Sequence, residues 1–466
     1  MTTLIPKFDL KNGGSTPTGA VNRAINLKLA ETVSVLDFGA DPTGVADSTT
    51  AFNNAIASEA GIVTIPSGTF KITSTINIDR AIELIGSSAA QTVNGTPNTN
   101  TTTISYTGTG VAMATVGSGA NGKFYLNISN INFVDASSGA ADGGLLVGSE
   151  VSIGPSGGYV RLSTYSNLSF IGFGKTGGYG LGCGNVLNSQ FNNIYAKECY
   201  YGIFIFGTNT TLTFQNCWCI SSLVYGTFVG PSGALAQSTN IVFINCTNEA
   251  SQGPGLASIG QGNTVDVYSY HSEANCLGGG NAPVIIQASG GFDPIYINFY
   301  GGSVQDKVGV LQFYILGSAY INWYDVVVPN YGAQFIQVNS ATIRCNFTYA
   351  GDEVTPSSVV NNHVDGVKVN NNAPIQFITT LADNAATALP FTSGILLVTD
   401  TTNNLSAIFS INGSSNTTSV MSDPNSHFAN TPTSSKVNVY YSSGYRIQNQ
   451  TGGSINVIAQ ALMANL

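Results

Sequence analysis

An aromatic or β-branched residue returns along the middle of the chain at Phe170, Phe191, Phe214, Phe243, Val267, Phe299 and Trp323, in steps of 21, 23, 29, 24, 32 and 24 residues. Two positions past all but the first stand Asn193, Asn216, Asn245, Ser269, Gly301 and Asp325. Steps of this size match one turn of a coil whose rungs lie on one another, the long steps carrying longer loops. Asn above Asn at a corner takes the left-handed conformation and bonds its side-chain amide to the next rung. One residue further, Cys217 and Cys246 stack as small apolar groups. A sandwich or propeller would not place an aromatic column and an Asn column in the same register, so the predicted architecture is a parallel stack of β-rungs.

Composition agrees with this. Charged residues are only 8% of the 466, glycine reaches 54, and Asn, Ser and Thr are abundant. Stacked strands want β-branched residues inside and hydroxyls outside, whereas helix bundles want Glu, Lys, Ala and Leu. A net charge of −9 with 15 dispersed Lys and Arg excludes a phosphate-gripping surface, so no nucleic-acid partner is expected. Seven cysteines without a CxxC pair or metal spacing read as reduced, buried thiols, and neither metal nor cofactor is expected. Met1 to Leu10 lacks the apolar run of a signal peptide and no later stretch is long enough to span a bilayer. Synthesis in a cytoplasm, with no membrane association, is the expectation.

Three zones follow along the chain. Residues 1–31 are polar, with a short amphipathic helix expected over Ala20 to Glu31 bearing Val21, Ile25 and Leu29. Too small to fold alone, this segment is expected to dock on a partner. Residues 32–370 open with a strand and turn, Val33-Ser34-Val35-Leu36-Asp37-Phe38-Gly39-Ala40-Asp41, then Asp47 ahead of a capped helix with Phe52, Ala55 and Ile56 on one face. Ile62 to Ile72 then alternates as a strand broken at Pro66-Ser67-Gly68. Residues 371–466 carry short alternating strands such as Gly394 to Val398 and Lys436 to Tyr441, predicting a small β-sandwich for trimerisation or glycan contact.

The order of strand, Asp-Phe-Gly-Ala, Asp-rich turn, capped helix and Ile-Pro-Ser-Gly-Thr-Phe resembles the N-terminal signature of the pectate-lyase-like superfamily, in the form seen in phage tailspikes and tail fibres. Ile5 to Leu10 and Asn22 to Asn26 resemble the virion-attachment ends of such proteins. The resemblance implies an all-β fold: a right-handed parallel β-helix capped by an N-terminal helix, with a C-terminal β-sandwich. It implies a homotrimer attached through its N-terminus to a phage tail or baseplate protein, carried on the virion and made in the host cytoplasm. The partner it implies is bacterial capsular or O-antigen polysaccharide.

Acidic residues number only 24, so their place in the repeat is informative. Six positions past the anchors the column reads Lys197, Ile220, Glu249, Glu273, Gln305, which stacks Glu249 on Glu273. A charged column cannot face inward with the aromatic one, so a corner must put both carboxylates on an outer face. Rungs about 4.8 Å apart place them roughly 5 to 6 Å apart, near the about 5 to 5.5 Å of retaining glycosidases. Close like charges favour one protonated acid beside one ionised base or nucleophile. Asp306 on the next rung is a third candidate acid. The plain alternative is two glutamates on a solvated face, one paired with Lys197.

Four positions past the anchors stand Tyr195, Trp218, Thr247, His271 and Ser303. Tyr195 and Trp218 can stack on sugar rings and His271 can exchange protons, with Lys197 alongside. Alternatively Trp218 fills a core gap and His271 is an ordinary surface residue. A lyase would need a cation beside a uronate; Arg161, Lys175, Lys197 and Arg344 are scattered, and the Asn-Thr-Asp, Asp-Asp and Gly-His-Gly motifs of polygalacturonases are absent. The expected activity is thus hydrolysis of surface polysaccharide by Glu249 and Glu273, against a purely adhesive fibre or a lyase.

Overall fold

The computed structural model describes residues 7–8, 21, 23–89, 100–115, 123–149, 159–230, 237–279, 282–288, 293–305, 313–316, 319–326, 336–338, 343–349, 359–361, 367–369, 375–389, 393–412 and 414–465. From Thr32 to Val369 the chain is a right-handed parallel β-helix. Each coil contributes a short strand to an 11-stranded sheet running from Ile76–Asn77 to Val359–Asn361, and one bent or two short strands to a 20-stranded sheet wrapped around the opposite side. A representative coil has Val186–Lys197 in the larger sheet and Tyr201–Phe206 in the smaller; the next has Asn209–Gln215 and Trp218–Ile220, then Tyr225–Val229. Pairing within both sheets is parallel.

The aromatic column is real, with one correction. Phe191, Phe214, Phe243, Val267, Phe299 and Trp323 are directly opposed from rung to rung, and Phe347 extends the series. Phe170 is not its first member. It lies beside Ala196 and stacks on Phe133 of the preceding rung, ring centroids 5.2 Å apart. Tyr165 takes the place over Phe191, at 4.9 Å. Tyr165 and Phe170 both point inward but flank the corner at Asn167, so residue type alone does not distinguish them.

The corner column is a left-handed ladder longer than expected. Asn130, Asn167, Asn193, Asn216, Asn245, Ser269 and Gly301 all have φ between 51° and 68°. Nδ2 of each Asn donates to Oδ1 of the one before: Asn167 to Asn130 at 2.9 Å, Asn193 to Asn167 at 2.9 Å, Asn216 to Asn193 at 3.3 Å and Asn245 to Asn216 at 3.5 Å. Asn216→Ala keeps the left-handed strain and removes the amide, and is expected to cost about 1–2 kcal/mol. Asn216→Gly removes the amide but relieves the strain, so its urea midpoint should lie between Ala and wild type. Equal midpoints for Ala and wild type would contradict the ladder.

At the N-terminal end, strand Thr32–Ser34 runs into a 3₁₀ turn, Val35–Phe38, in the expected order of strand and turn. Local capping holds the turn: Ser34 Oγ accepts from Leu36 N at 3.2 Å, and Ser34 N donates to Asp37 Oδ2 at 2.8 Å. Helix Thr49–Ala57 follows with Phe52, Ala55 and Ile56 buried against the first coil, Phe52 meeting Phe70 edge-on at 5.5 Å. Asp47 Oδ1 accepts from Thr49 N at 3.0 Å, and Arg80 Nη2 donates to Ala60 O at 2.6 Å just past the helix's last turn. Asp41 organises the preceding turn, accepting from Thr43 N at 2.9 Å, Val45 N at 3.2 Å and Ala46 N at 2.7 Å. The Ala46 amide, the Thr43 hydroxyl and amide, and the Val45 amide hold its pKa down to about 2. A depressed carboxylate stabilises the fold above the usual Asp range and loses that contribution as pH falls toward 2. The melting temperature of wild type should therefore fall more between pH 4 and pH 2 than that of Asp41→Asn.

Ahead of the helix, Lys7–Phe8 pairs antiparallel with Arg23–Ala24, and a short helix, Ile25–Leu29, occupies part of the predicted 20–31 span. Arg23 and Lys28 both bond Glu31, while Val21, Leu27 and Leu29 are exposed. At the other end, residues 375–465 form a 5-stranded and a 4-stranded sheet, antiparallel except at one edge pair. Their facing residues Leu396, Val398, Phe409, Val439, Ile447 and Val457 share one core, making a β-sandwich.

Candidate functional site

The left-handed corner decides which residues face out. After Asn245 the chain turns, Cys246 and Asn248 point inward, and Thr247 and Glu249 point outward. The same alternation after Ser269 exposes His271 and Glu273 and buries Ser272. Register then sets the neighbours: Thr247 lies beside His271, Glu249 beside Glu273, and Ser303 beyond His271. Lys197, Ile220, Glu249 and Glu273 follow one another in one column, and Tyr195, Trp218, Thr247, His271 and Ser303 in the other, as predicted.

Trp218 is on the surface, 41% exposed, and does not fill a core gap. Its ring meets Tyr195 edge-on at 5.4 Å. Burial, then the carboxylates of Glu198 and Glu249, push the Tyr195 phenol above its ordinary range. Lys197 bonds Glu198 at 3.4 Å, the ion pair expected of neighbours. Glu249 is half-buried. Glu273 is bonded by His271, Nε2 to Oε2 at 3.2 Å, while His271 Nδ1 lies 2.7 Å from Ser303 Oγ. Asp306 lies outside the described residues. Of the scattered cations, Lys175 is tied to Asp142 at 2.5 Å and Arg161 sits over the Tyr159 ring at 5.4 Å. Among the described residues no group of three or more His, Cys, Asp or Glu could hold a metal ion.

Beneath this outer face the apolar core gives way to a polar network. Asn248 Nδ2 donates to Tyr270 OH at 2.9 Å, Thr227 Oγ1 donates to Asn248 Oδ1 at 3.2 Å, and Asn275 Nδ2 donates to Asn248 O at 2.9 Å. These fully buried bonds fix the two rungs carrying the glutamates, since a buried amide left unpaired would cost about 1–3 kcal/mol. Sequence reasoning missed this support.

It also missed an aromatic face on the 11-stranded sheet. Tyr201, Phe204, Tyr225 and Phe228 are half-exposed, with Phe204 and Phe228 stacked at 5.2 Å and Tyr201 and Tyr225 at 5.7 Å. Burial, then the neighbouring Tyr200 and Tyr225 phenols, push Tyr201 up to about 12. Glycines make room for the rings lying flat on this sheet: a Cβ on Gly182 would stand 2.5 Å from the Tyr179 ring, and one on Gly230 2.3 Å from that of Phe228. The available signal was the repeated Tyr-Gly-x-Phe at 201–204 and 225–228. Such a face can stack on sugar or pack against protein.

Comparisons with known proteins agree with the architecture. Residues 32–142 match the family model described as rhamnogalacturonase A/epimerase, pectate lyase-like. A comparison with curated protein sequences finds no match. Among solved structures, a Geobacillus virus E2 protein, ORF18, is 15% identical with a TM-score of 0.50, covering 94% of this chain and 87% of that one. A mutant tailspike protein of E. coli bacteriophage HK620 is 12% identical with a TM-score of 0.48, covering 98% and 97%. The A-module of the Azotobacter vinelandii mannuronan C-5 epimerase AlgE4 is 15% identical with a TM-score of 0.44, covering 68% and 100%. Stacked parallel rungs, an inward aromatic column and a left-handed Asn corner give this chain a right-handed parallel β-helix fold, whose residues 32–142 carry the pectate lyase-like match.

Proposed function

We propose that this chain is a bacteriophage tailspike that binds bacterial surface polysaccharide, capsule or O-antigen, along the flank of its β-helix and hydrolyses it with Glu249 and Glu273. The observation that carries the reading is the in-register pair of outward carboxylates beside exposed Trp218. A polymer laid along the rod meets the Tyr195 and Trp218 rings, with Lys197 at the same edge, and then the carboxylates. Glu249 serves as general acid and Glu273, already oriented by His271, as base or nucleophile. Exposed Val21, Leu27 and Leu29 supply an apolar surface for docking to a tail or baseplate protein, and the long sheet faces suit a side-by-side homotrimer whose several weak sites act together.

A second reading, adhesion without cleavage, is favoured by the His271–Glu273 hydrogen bond, which occupies one of the two carboxylates. Incubation with purified capsular and O-antigen polysaccharides separates the cases. New reducing ends are the expected result; unsaturated-uronate absorbance would indicate a lyase, and binding with neither signal an adhesin.

A further inference from the structure

We propose that Ser303, His271 and Glu273 form a nucleophile, base and orienter that remove an acyl group from an ester-bearing sugar on the same flank. Ser303 Oγ stands 2.7 Å from His271 Nδ1, and His271 Nε2 stands 3.2 Å from Glu273 Oε2. An ionised carboxylate only accepts, so Nε2 carries the ring proton and the Nδ1 lone pair faces the Ser303 hydroxyl. That is the arrangement in which a weak serine nucleophile is activated by an adjacent base that a third group holds in place. Two rungs supply it: His271 and Glu273 on Thr264–Glu273, and Ser303 on Ile295–Gln305.

The corner beside the relay is built differently from the rest of the ladder. Asn gives way to Ser269 and Gly301, and a Cβ on Gly301 would have nothing within 4 Å, so the corner itself is open. Just before this corner Tyr268, 39% exposed, stacks on Tyr300 with centroids 4.6 Å apart and an 11° interplanar angle. Only Gly301 and Gly302 separate Tyr300 from Ser303. The tyrosine pair and Ser303 thus stand on either side of one corner of the same flank, and the substrate class that suits a serine relay on a glycan-binding flank is an O-acylated polysaccharide.

In the reaction Ser303 Oγ bonds the acyl carbon and its proton passes to His271 Nδ1. The carbon–oxygen bond to the sugar breaks and that proton goes to the departing sugar hydroxyl. Water then attacks the acyl-serine, again through Nδ1, releasing the carboxylic acid and restoring Ser303. Glu273 is a positioning residue for the ring.

This shares His271 and Glu273 with the glycan-cleaving reading but has a separate readout. The full chain is treated with an alkyl fluorophosphonate and the labelled peptide identified by mass spectrometry; hydrolysis of 4-nitrophenyl acetate and acetate release from an O-acetylated polysaccharide are followed in parallel. The expected result is label on Ser303 and acetate release, both reduced at least about 100-fold in Ser303→Ala and His271→Ala. Glu273→Gln should lose activity that Glu273→Asp partly restores, at unchanged melting temperature. Ser303→Ala should leave reducing-end production at the wild-type rate, so failure of either activity is seen independently of the other. An unlabelled Ser303, or acetate release at the wild-type rate in Ser303→Ala, overturns the proposal.

Discussion

Glu249→Gln and Glu273→Gln should each lower production of reducing ends from the cognate polysaccharide by about 10³-fold or more. A general acid or base contributes about 10² to 10⁴ in rate, and a residue that also forms the covalent intermediate contributes at least as much. Gln keeps the shape of Glu and removes only its ability to ionise or to donate a proton. Neither side chain belongs to the core: Glu249 is half-buried and Glu273 exposed, so the variants should fold and melt like wild type. Measuring reducing ends alongside thermal unfolding separates loss of chemistry from loss of structure. Full cleavage by both variants would remove the pair from consideration and leave Trp218 and Tyr195 as part of a binding surface only.

Phe214→Ala should destabilise the chain by about 4 kcal/mol, read as a lowered urea midpoint at unchanged slope. Phe214 is fully buried and its ring is sandwiched between Phe191, at 4.6 Å and 8°, and Phe243, at 5.1 Å and 24°. Truncating a buried Phe costs about 3–5 kcal/mol through lost transfer energy and the cavity left behind. A rod of rungs relaxes poorly into such a cavity because each neighbour is held by its own ladder of backbone bonds. Phe214→Leu fills most of the space and should cost about 1–1.5 kcal/mol. Amide exchange should show the loss concentrated in the coils from residue 186 to residue 249, since rungs contact chiefly their neighbours. A cost below about 1 kcal/mol for Ala would mean that the rings do not support one another.

Much of this fold was legible because stacked rungs place like on like. Phe214, Asn216 and Cys217 sit beside Phe243, Asn245 and Cys246 in the structure because they do so in the repeat. Where the rule failed, a second constraint was ignored. Phe170 has glycine two positions on, whereas Tyr165 has Asn167, and the Asn rather than the aromatic marks the corner. The aromatic face on the smaller sheet is not legible from the aromatic column of the larger one, because Tyr201, Phe204, Tyr225 and Phe228 repeat at their own offset and point outward. The Asn248 network was hidden because a buried Asn looks like any other Asn until its partners are known.

What the sequence determined by itself is the period of the coil, and with it which residues are neighbours on the flank. That follows from elementary geometry: side chains alternate across a strand, and a left-handed corner resets the alternation at a fixed offset. What only the tertiary structure decided is how those neighbours use one another. His271 can turn toward Glu249, Glu273, Thr247 or Ser303, and the column does not say which. The choice of Glu273 on one side and Ser303, 32 residues away, on the other is made by hydrogen-bond geometry between adjacent rungs. Side-chain torsions and donor–acceptor pairing are settled only after the backbone has stacked, which is why the column was readable and the relay was not.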